Sequence, residues 1–465
     1  MNPNMMTKPL FQTAGILTLS AVLTACSTQP KADPSLTLAA TGKIMSEEEA
    51  ARRYDINGDW WEAYGSGSLN AVMKQALDNN ADLRQAAISV NKALYQANIL
   101  GADLVPSFSG SLGSGTTHNL KEGGHNNNFS SSLGLSYELD LWRKLSKKAD
   151  AQVWEYQATR EDLAGTRLTL ANNVADTYFN IAYINRAIGL AKKNIAQYEE
   201  IERIAQAKYR HGKADSSIPT QAAQSLLSAR NNLISLEAAR ENLIQVLRNL
   251  LNLKPDEDFA AAPQDYRLLY DAGVHLDVPI SVLANRPDLR AAEYRLQSAL
   301  SSQKAQERSW YPSITLGASL GASSNRAADT FKIPMLGGTV QINLPFLDWK
   351  TLKWQDKAAE ANFESARIGF EKTLTSALNE VANYYARYRF ARENLNNQTK
   401  RLALDKKNTR YYRVRYQHGK AELKDWLEAA NTESSSEQNV LNGQYEVLKY
   451  ENMVYKAMAG RYTPK

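Results

Sequence analysis

The feature that most constrains this chain is a pattern written twice. Asp82-Leu83-Arg84 recurs as Asp288-Leu289-Arg290 and Val105-Pro106-Ser107 recurs as Tyr311-Pro312-Ser313, both at an offset of 206. Trp142-Arg143 then matches Trp349-Lys350, and Tyr209-Arg210-His211-Gly212-Lys213-Ala214 matches Tyr416-Gln417-His418-Gly419-Lys420-Ala421, both at an offset of 207. Four collinear landmarks with one residue of slippage indicate duplication of a whole architecture. The repeats are assigned to residues 68–253 and 281–459, with a Pro- and acid-bearing connector at 254–280 and a short tail at 460–465.

Within each copy the order is the same. Apolar residues at helical spacing predict a first helix over about 69–100 and its counterpart over about 287–308, ended by Pro106 and Pro312. Alternation follows. Phe108, Gly110 and Leu112 alternate with serines, Leu133, Leu135, Tyr137 and Leu139 alternate with Gly134, Ser136 and Glu138, and the second copy repeats this around Ile314–Leu320 and Val340–Leu344. A period of two predicts four strands with one apolar and one small, polar face. Such strands suit a barrel with lipid outside and water inside, but four cannot enclose a water-filled lumen, so several chains must contribute. Residues 116–128 and 323–335 are read as long polar connecting loops. His118 and His125 fall in the first; no carboxylate or cysteine completes a metal set there, so no metal site is assigned.

Two very long helices come next, about 144–209 and 351–416, without proline. At 1.5 Å per residue each would extend about 100 Å. In the second, Phe363, Phe370, Leu374, Ala377, Val381, Tyr384, Tyr388, Ala391 and Leu395 advance by sevens, fours and threes, a coiled-coil seam. The first carries Val174, Tyr178, Ile181, Ile184, Ile188, Ile195, Tyr198, Ile201, Ala205 and Tyr209. Their other faces are polar, which places them in water rather than in a bilayer. Each ends at a His-Gly-Lys-Ala turn, where Gly212 and Gly419 supply a left-handed terminus, and shorter helices return over about 219–251 and 423–458.

The N-terminus has the anatomy of an export signal over residues 1–25: Lys8, an apolar run, then small residues to Cys26. Leu23-Thr24-Ala25-Cys26 resembles a bacterial lipobox, which implies acylation of Cys26 and an N-terminal lipidated segment over 26–67; Ser27 in the following position resembles outer-membrane routing. Cys26 is the single cysteine, so an intrachain disulfide and a cysteine zinc site are excluded. The net charge of +6 is spread among intermixed acids and bases, which sets nucleic acid aside as a partner. No catalytic motif is present: Ala207 and Val414 stand where a phosphate loop needs its first glycine, so neither Gly-Lys turn is one, and neither enzyme nor cofactor is expected.

These pieces together resemble the TolC-like outer-membrane efflux factors, in their lipoprotein, OprM-like branch, over nearly the whole mature chain. The resemblance implies a homotrimer whose chains supply four strands each to a twelve-stranded outer-membrane barrel, continued by a helical barrel in the periplasm. It also implies a periplasmic adaptor and an inner-membrane pump as partners, with passive export of drugs, toxins or other small molecules. At the tapered end it assigns gate roles to Asp425 and Glu428, six and nine residues after Gly419, and to Tyr416, three before it. It makes the turn tips, Gly212, Lys213, Gly419 and Lys420, a candidate adaptor contact. The sequence departs from the TolC type at Ile218 and Ala421, where an acid and a base stand in that type, so its inter-helix ion pair is not expected here. The competing reading is a structural or adhesive envelope lipoprotein with coiled-coil spacers, which has no need of amphipathic strands.

Overall fold

The computed structural model describes residues 30–465 apart from 43, 122, 276, 280, 284 and 333. The export signal and Cys26 lie outside the described residues. In chain order the elements are α1 (Glu47–Arg53), β1 (Tyr54–Asn57), α2 (Gly67–Asn79), α3 (Ala81–Ala102), β2 (Ser107–Asn119), β3 (Gly124–Leu139), α4 (Lys144–Arg210) and α5 (Ser217–Leu251). They continue with α6 (Pro287–Glu307), β4 (Ser313–Ser324), β5 (Met335–Asn343), α7 (Trp349–Gln417), α8 (Leu423–Ala457) and β6 (Arg461–Pro464). From α3 to α5 and again from α6 to α8 the order is helix, hairpin, long helix, return helix. Two compact units result: residues 30–40 with 88–161 and 290–372, and residues 41–87 with 162–289 and 373–465.

The first unit is built on an antiparallel sheet of order β2-β3-β4-β5. Its register puts Phe108 opposite Leu135, Leu133 opposite Leu320, Tyr137 opposite Leu316, and Leu316 opposite Val340. Residues directly opposite share a face, so the apolar alternation of all four strands falls on one side. Ser109, Gly134, Ser319 and Gly337 line up across the other side by the same register. Gly317 keeps that side flat: a Cβ there would collide with Thr339 Oγ1.

The predicted loop over 116–128 is corrected. β2 and β3 run on through Thr116↔Asn127 and His118↔His125, leaving only residues 120–123 to turn. Pairing between β3 and β4 stops at Phe129↔Ser324, so residues 115–119 and 124–128 form a two-stranded ribbon beyond the four-stranded sheet. A ribbon with no sheet to pack on keeps no apolar face, which is why its sequence reads as loop. The second polar stretch does connect strands, ending β4 at Ser324 and beginning β5 at Met335.

Asp140 joins sheet to helix, its carboxylate accepting from the backbone N–H of Leu145 and Ser146 at 2.8 Å each, a side-chain cap for the first turn of α4. The N-terminal arm lies along α6: Asp33 N–H donates to Gln297 Oε1 (2.9 Å), Gln297 Nε2 donates to Asp33 O (3.0 Å) and Leu38 N–H donates to Glu293 Oε2 (2.9 Å). Burial raises the Glu293 carboxyl above its ordinary range.

In the second unit the coiled-coil positions form the core. Val174, Tyr178, Ile181, Ile184, Ile188, Tyr198, Ile201 and Ala205 of α4 are buried, as are Leu374, Ala377, Val381, Tyr388 and Ala391 of α7; Tyr209 is half exposed, and Phe370 of the seam is buried within the first unit. Trp60, Leu69, Val72 and Met73 pack with Tyr178, Phe179, Leu247, Leu251 and Tyr266 in one cluster. The single helix predicted over 69–100 is broken at Asn80. This residue is buried, accepts from Leu83 N–H (2.9 Å) as the N-cap of α3, and donates from Nδ2 to Leu250 O (2.8 Å). The N-terminal segment and the C-terminal tail, read as separate, meet at residues 54–57 and 461–464: β1 pairs antiparallel with β6, Tyr54↔Pro464 to Asn57↔Arg461.

Buried polar groups lock the connector onto α8. Glu451 is fully buried and accepts from Gly273 N–H (2.6 Å), Ala272 N–H (3.1 Å) and the Tyr455 hydroxyl (3.1 Å). Gly273 reaches this position with φ of +86°, a conformation costly for any residue with a Cβ. Burial drives the Glu451 carboxyl up to about 7. Beside it, Asn452 Oδ1 accepts from Trp60 Nε1 (2.9 Å) and its Nδ2 donates to Asn172 O (2.9 Å). Arg286 ties three elements together, donating to Ala457 O (2.8 Å) and pairing with Asp288 (2.7 Å) and Glu380 (2.8 Å).

Candidate gate and membrane sheet

The two turns that end the long helices are closed alike. After α4, Gly212 has φ of +65°, its N–H donates to Tyr209 O (2.9 Å), and Lys213 N–H donates to Lys208 O (2.8 Å). After α7, Gly419 has φ of +67°, its N–H donates to Tyr416 O (2.9 Å), and Lys420 N–H donates to Arg415 O (2.8 Å). This six-to-one bond over a left-handed glycine is the Schellman arrangement, and it satisfies carbonyls the helix leaves open. The next turns differ. Asp215 Oδ1 accepts from Ser217 N–H (2.7 Å) at the head of α5, which holds its carboxyl below the ordinary range. Asp425 Oδ2 accepts from Glu422 N–H (3.0 Å) while Glu422 accepts from the Asp425 N–H, a reciprocal capping box at the head of α8.

One apolar cluster holds this end of the bundle. Tyr198, Ile201 and Ala205 of α4, Ala222 and Leu226 of α5, and Leu423, Trp426, Leu427 and Ala430 of α8 are buried together, with Ile218 and Tyr416 packed against them. Ile218 is therefore a core contact in the place where the TolC type carries an acid. The Tyr416 ring lies 5.6 Å from that of Trp426, and Lys208 Nζ sits 4.4 Å from the Tyr416 centroid, a cation–π contact joining α4 to α7.

Asp425 and Glu428 line a shallow groove of about 210 Å³ with Asp405, Asn408, Tyr412, Ala429 and Thr432. Glu428 is exposed, 3.8 Å from Lys424, while Asp405 accepts from Ser436 Oγ (2.5 Å). Of the predicted gate residues, the structure thus brings Asp425 and Glu428 into one groove and holds Tyr416 in the adjoining cluster. Gly212 and Lys213 stand at one turn and Gly419 and Lys420 at the other. Sequence reasoning missed Asp405, Lys208 and Trp426. Trp426, one residue after Asp425 and set between Leu423 and Leu427, was a visible signal; Asp405 and Lys208 enter only through folding of the hairpins.

At the other functional surface the sheet exposes its apolar face. Phe108, Leu112, Leu133, Leu316, Leu320, Leu336, Val340 and Ile342 are all exposed, Phe108 and Leu336 to 83%. At the helix-proximal end of the strands, Trp142 stacks on Tyr311 with centroids 4.9 Å apart and donates from Nε1 to Pro312 O (2.8 Å). Phe346, Leu347 and Trp349, just after the end of β5, are exposed as well. An exposed apolar band bordered by aromatic residues is the surface a bilayer requires. No helix among the described residues is long and apolar enough to cross a membrane.

The sequence profile described as outer membrane efflux protein matches residues 72–253 and 278–460, once for each copy of the duplication. Among characterised proteins, the chain is 45% identical to "Toxin and drug export protein A" of Aggregatibacter actinomycetemcomitans, with 90% of this chain and 92% of that protein covered. It is 25% identical to the pyoverdine export outer membrane protein OpmQ of Pseudomonas aeruginosa, over 88% of this chain and 89% of that protein. Among solved structures, the Campylobacter jejuni CmeC outer membrane channel superposes with a TM-score of 0.81 at 24% identity, covering 93% of each chain. Two matched copies spanning most of the sequence, and an amphipathic sheet that a spacer lipoprotein does not need, place the chain in the outer membrane efflux protein family, whose members are channels of the bacterial outer membrane.

Proposed function

We propose that three copies of this chain close a twelve-stranded barrel in the outer membrane and form the exit duct of a tripartite exporter. The observation that carries this reading is the four-stranded sheet whose alternating apolar residues, from Phe108 through Leu133 and Leu316 to Val340, fall on one exposed face, while β2 and β5 are left with open edges. Unpaired strand edges are not tolerated in hydrocarbon, and four strands cannot surround water. Pairing β5 of one chain with β2 of the next satisfies both. Acylation of Cys26 adds a lipid anchor on the same membrane, the helix-turn tips at Gly212-Lys213 and Gly419-Lys420 receive a periplasmic adaptor, and an inner-membrane pump supplies the work. The duct catalyses nothing. Its cargo, on the example of the relative 45% identical to it, is toxins and drugs.

Asp425, Glu428 and Tyr416 form the gate in this reading. Three chains place three copies of the acidic groove around a narrow axis. The first copy offers no matching ring, because Ile218 is committed to the apolar cluster.

The test is in cells. Leu133 and Leu320 face each other across the sheet, and Arg at either costs about 2–4 kcal/mol at the bilayer midplane. A strain carrying Leu133→Arg with Leu320→Arg is expected to lose the protein from its outer membrane and to become as drug- and toxin-sensitive as a deletion strain. Normal membrane assembly and full resistance of that strain contradict the proposal.

A further inference from the structure

We propose that His118 and His125 form a two-imidazole chelate for a divalent transition-metal cation, of the Zn²⁺, Cu²⁺ or Ni²⁺ class, on the ribbon that extends the β2–β3 hairpin. The inference rests on register. His118 and His125 are direct cross-strand partners, one pair before the turn at residues 120–123. Opposed residues of an antiparallel pair project side by side from one face. Their rings lie 4.4 Å apart between centroids, inclined by 34°, and both residues are exposed.

Two Zn–N bonds of about 2.0–2.1 Å in a tetrahedral arrangement set the coordinating nitrogens roughly 3.3 Å apart. Rings separated by 4.4 Å meet that spacing with side-chain rotation alone. Imidazole suits Zn²⁺, Cu²⁺ and Ni²⁺ and not the hard cations that take oxygen cages. The strands hold both ligands before the ion arrives, so little ordering is left to oppose binding. Thr116 and Asn127, the next pair on the same face, put an amide oxygen within the neighbourhood of the site, and water completes the shell. Among the described residues no group of three or more His, Cys, Asp or Glu side chains is gathered for a metal. The proposed site is accordingly a labile two-histidine clip and not a caged structural centre.

Its place in the fold follows from connectivity. α3 enters and α4 leaves at the opposite end of β2 and β3, and β3 has 16 residues where a bilayer crossing takes about 9–11. The clip therefore stands beyond the membrane band, at the end of the sheet farthest along the strands from the helices. A bound cation cross-links β2 to β3 there and stiffens the hairpin.

The experiment titrates Zn²⁺ into the purified full-length protein in detergent, calorimetrically, beside His118→Asn and His125→Asn. The chain has three other histidines, His211, His275 and His418, and these variants keep them. Saturable binding of one Zn²⁺ per chain is expected, weakened at least about tenfold by either substitution because each removes one of two protein ligands. Copper supplies an independent readout: the electron paramagnetic resonance spectrum of one equivalent of Cu²⁺ is expected to show coupling to two imidazole nitrogens in the wild type and to one in each variant. Absence of saturable Zn²⁺ binding, binding unchanged in the variants, or single-nitrogen coupling in the wild type overturns the proposal.

Discussion

Replacing Glu451 by Gln is expected to reverse the order of stability between wild type and variant as pH rises from 5 to 8. In the unfolded chain this carboxyl ionises near 4.5; in the fold it keeps its proton until about 7, because burial penalises the charge. Below the lower value it is neutral in both states and contributes no pH dependence. Between the two the unfolded chain has lost a proton that the folded chain retains, so stability falls with rising pH, and above about 7 the penalty is complete. The displacement is worth about 3 kcal/mol. Gln carries no charge but cannot accept from Ala272 N–H with its amide nitrogen, which strands a buried donor at a cost of about 1–3 kcal/mol. The variant is therefore the less stable protein at pH 5 and the more stable one at pH 8. Thermal unfolding followed by helical circular dichroism checks this; parallel curves across the range contradict it.

Removing both carboxylates proposed for the gate, Asp425→Ala with Glu428→Ala, is expected to raise single-channel conductance severalfold and to lower cation selectivity. Two effects act in the same direction. Carboxylates repeated around a narrow axis retain cations and their water. Asp425 also closes the capping box of α8, and loss of such a cap frays the first turn at a cost of about 1 kcal/mol, freeing the tip to splay. Trp426 remains buried in the apolar cluster and Tyr416 packs against it under Lys208, so the bundle below the tip stays intact. Unchanged conductance and selectivity in planar bilayers would remove these residues from the gate.

Much of this was legible because it is periodic. The alternation that lands Phe108, Leu133, Leu316 and Val340 on one face, and the seam from Phe370 to Ala391, follow from counting by two and by seven. The glycine turns were legible because a left-handed terminus restricts the residue type. What was not legible is local or distant in character. Asn80 breaks a helix whose apolar spacing continues past it, since one capping amide outweighs the periodicity. The ribbon carrying His118 and His125 has no apolar face to announce it. The β1–β6 pairing joins residues about 400 positions apart and the Glu451 lock residues 178 and 179 apart, where no spacing rule reaches. At the tip the resemblance pointed to Asp425 and Glu428, but Asp405 joins them only once α7 and α8 lie side by side.

The claim on which the rest depends is that chains combine to close the barrel. Purified full-length protein, its mass measured in detergent and its current recorded after insertion in a planar bilayer, tests it most directly. The account predicts a three-chain species that conducts with small, stable unitary steps. A monomer that inserts no conducting pore would contradict it.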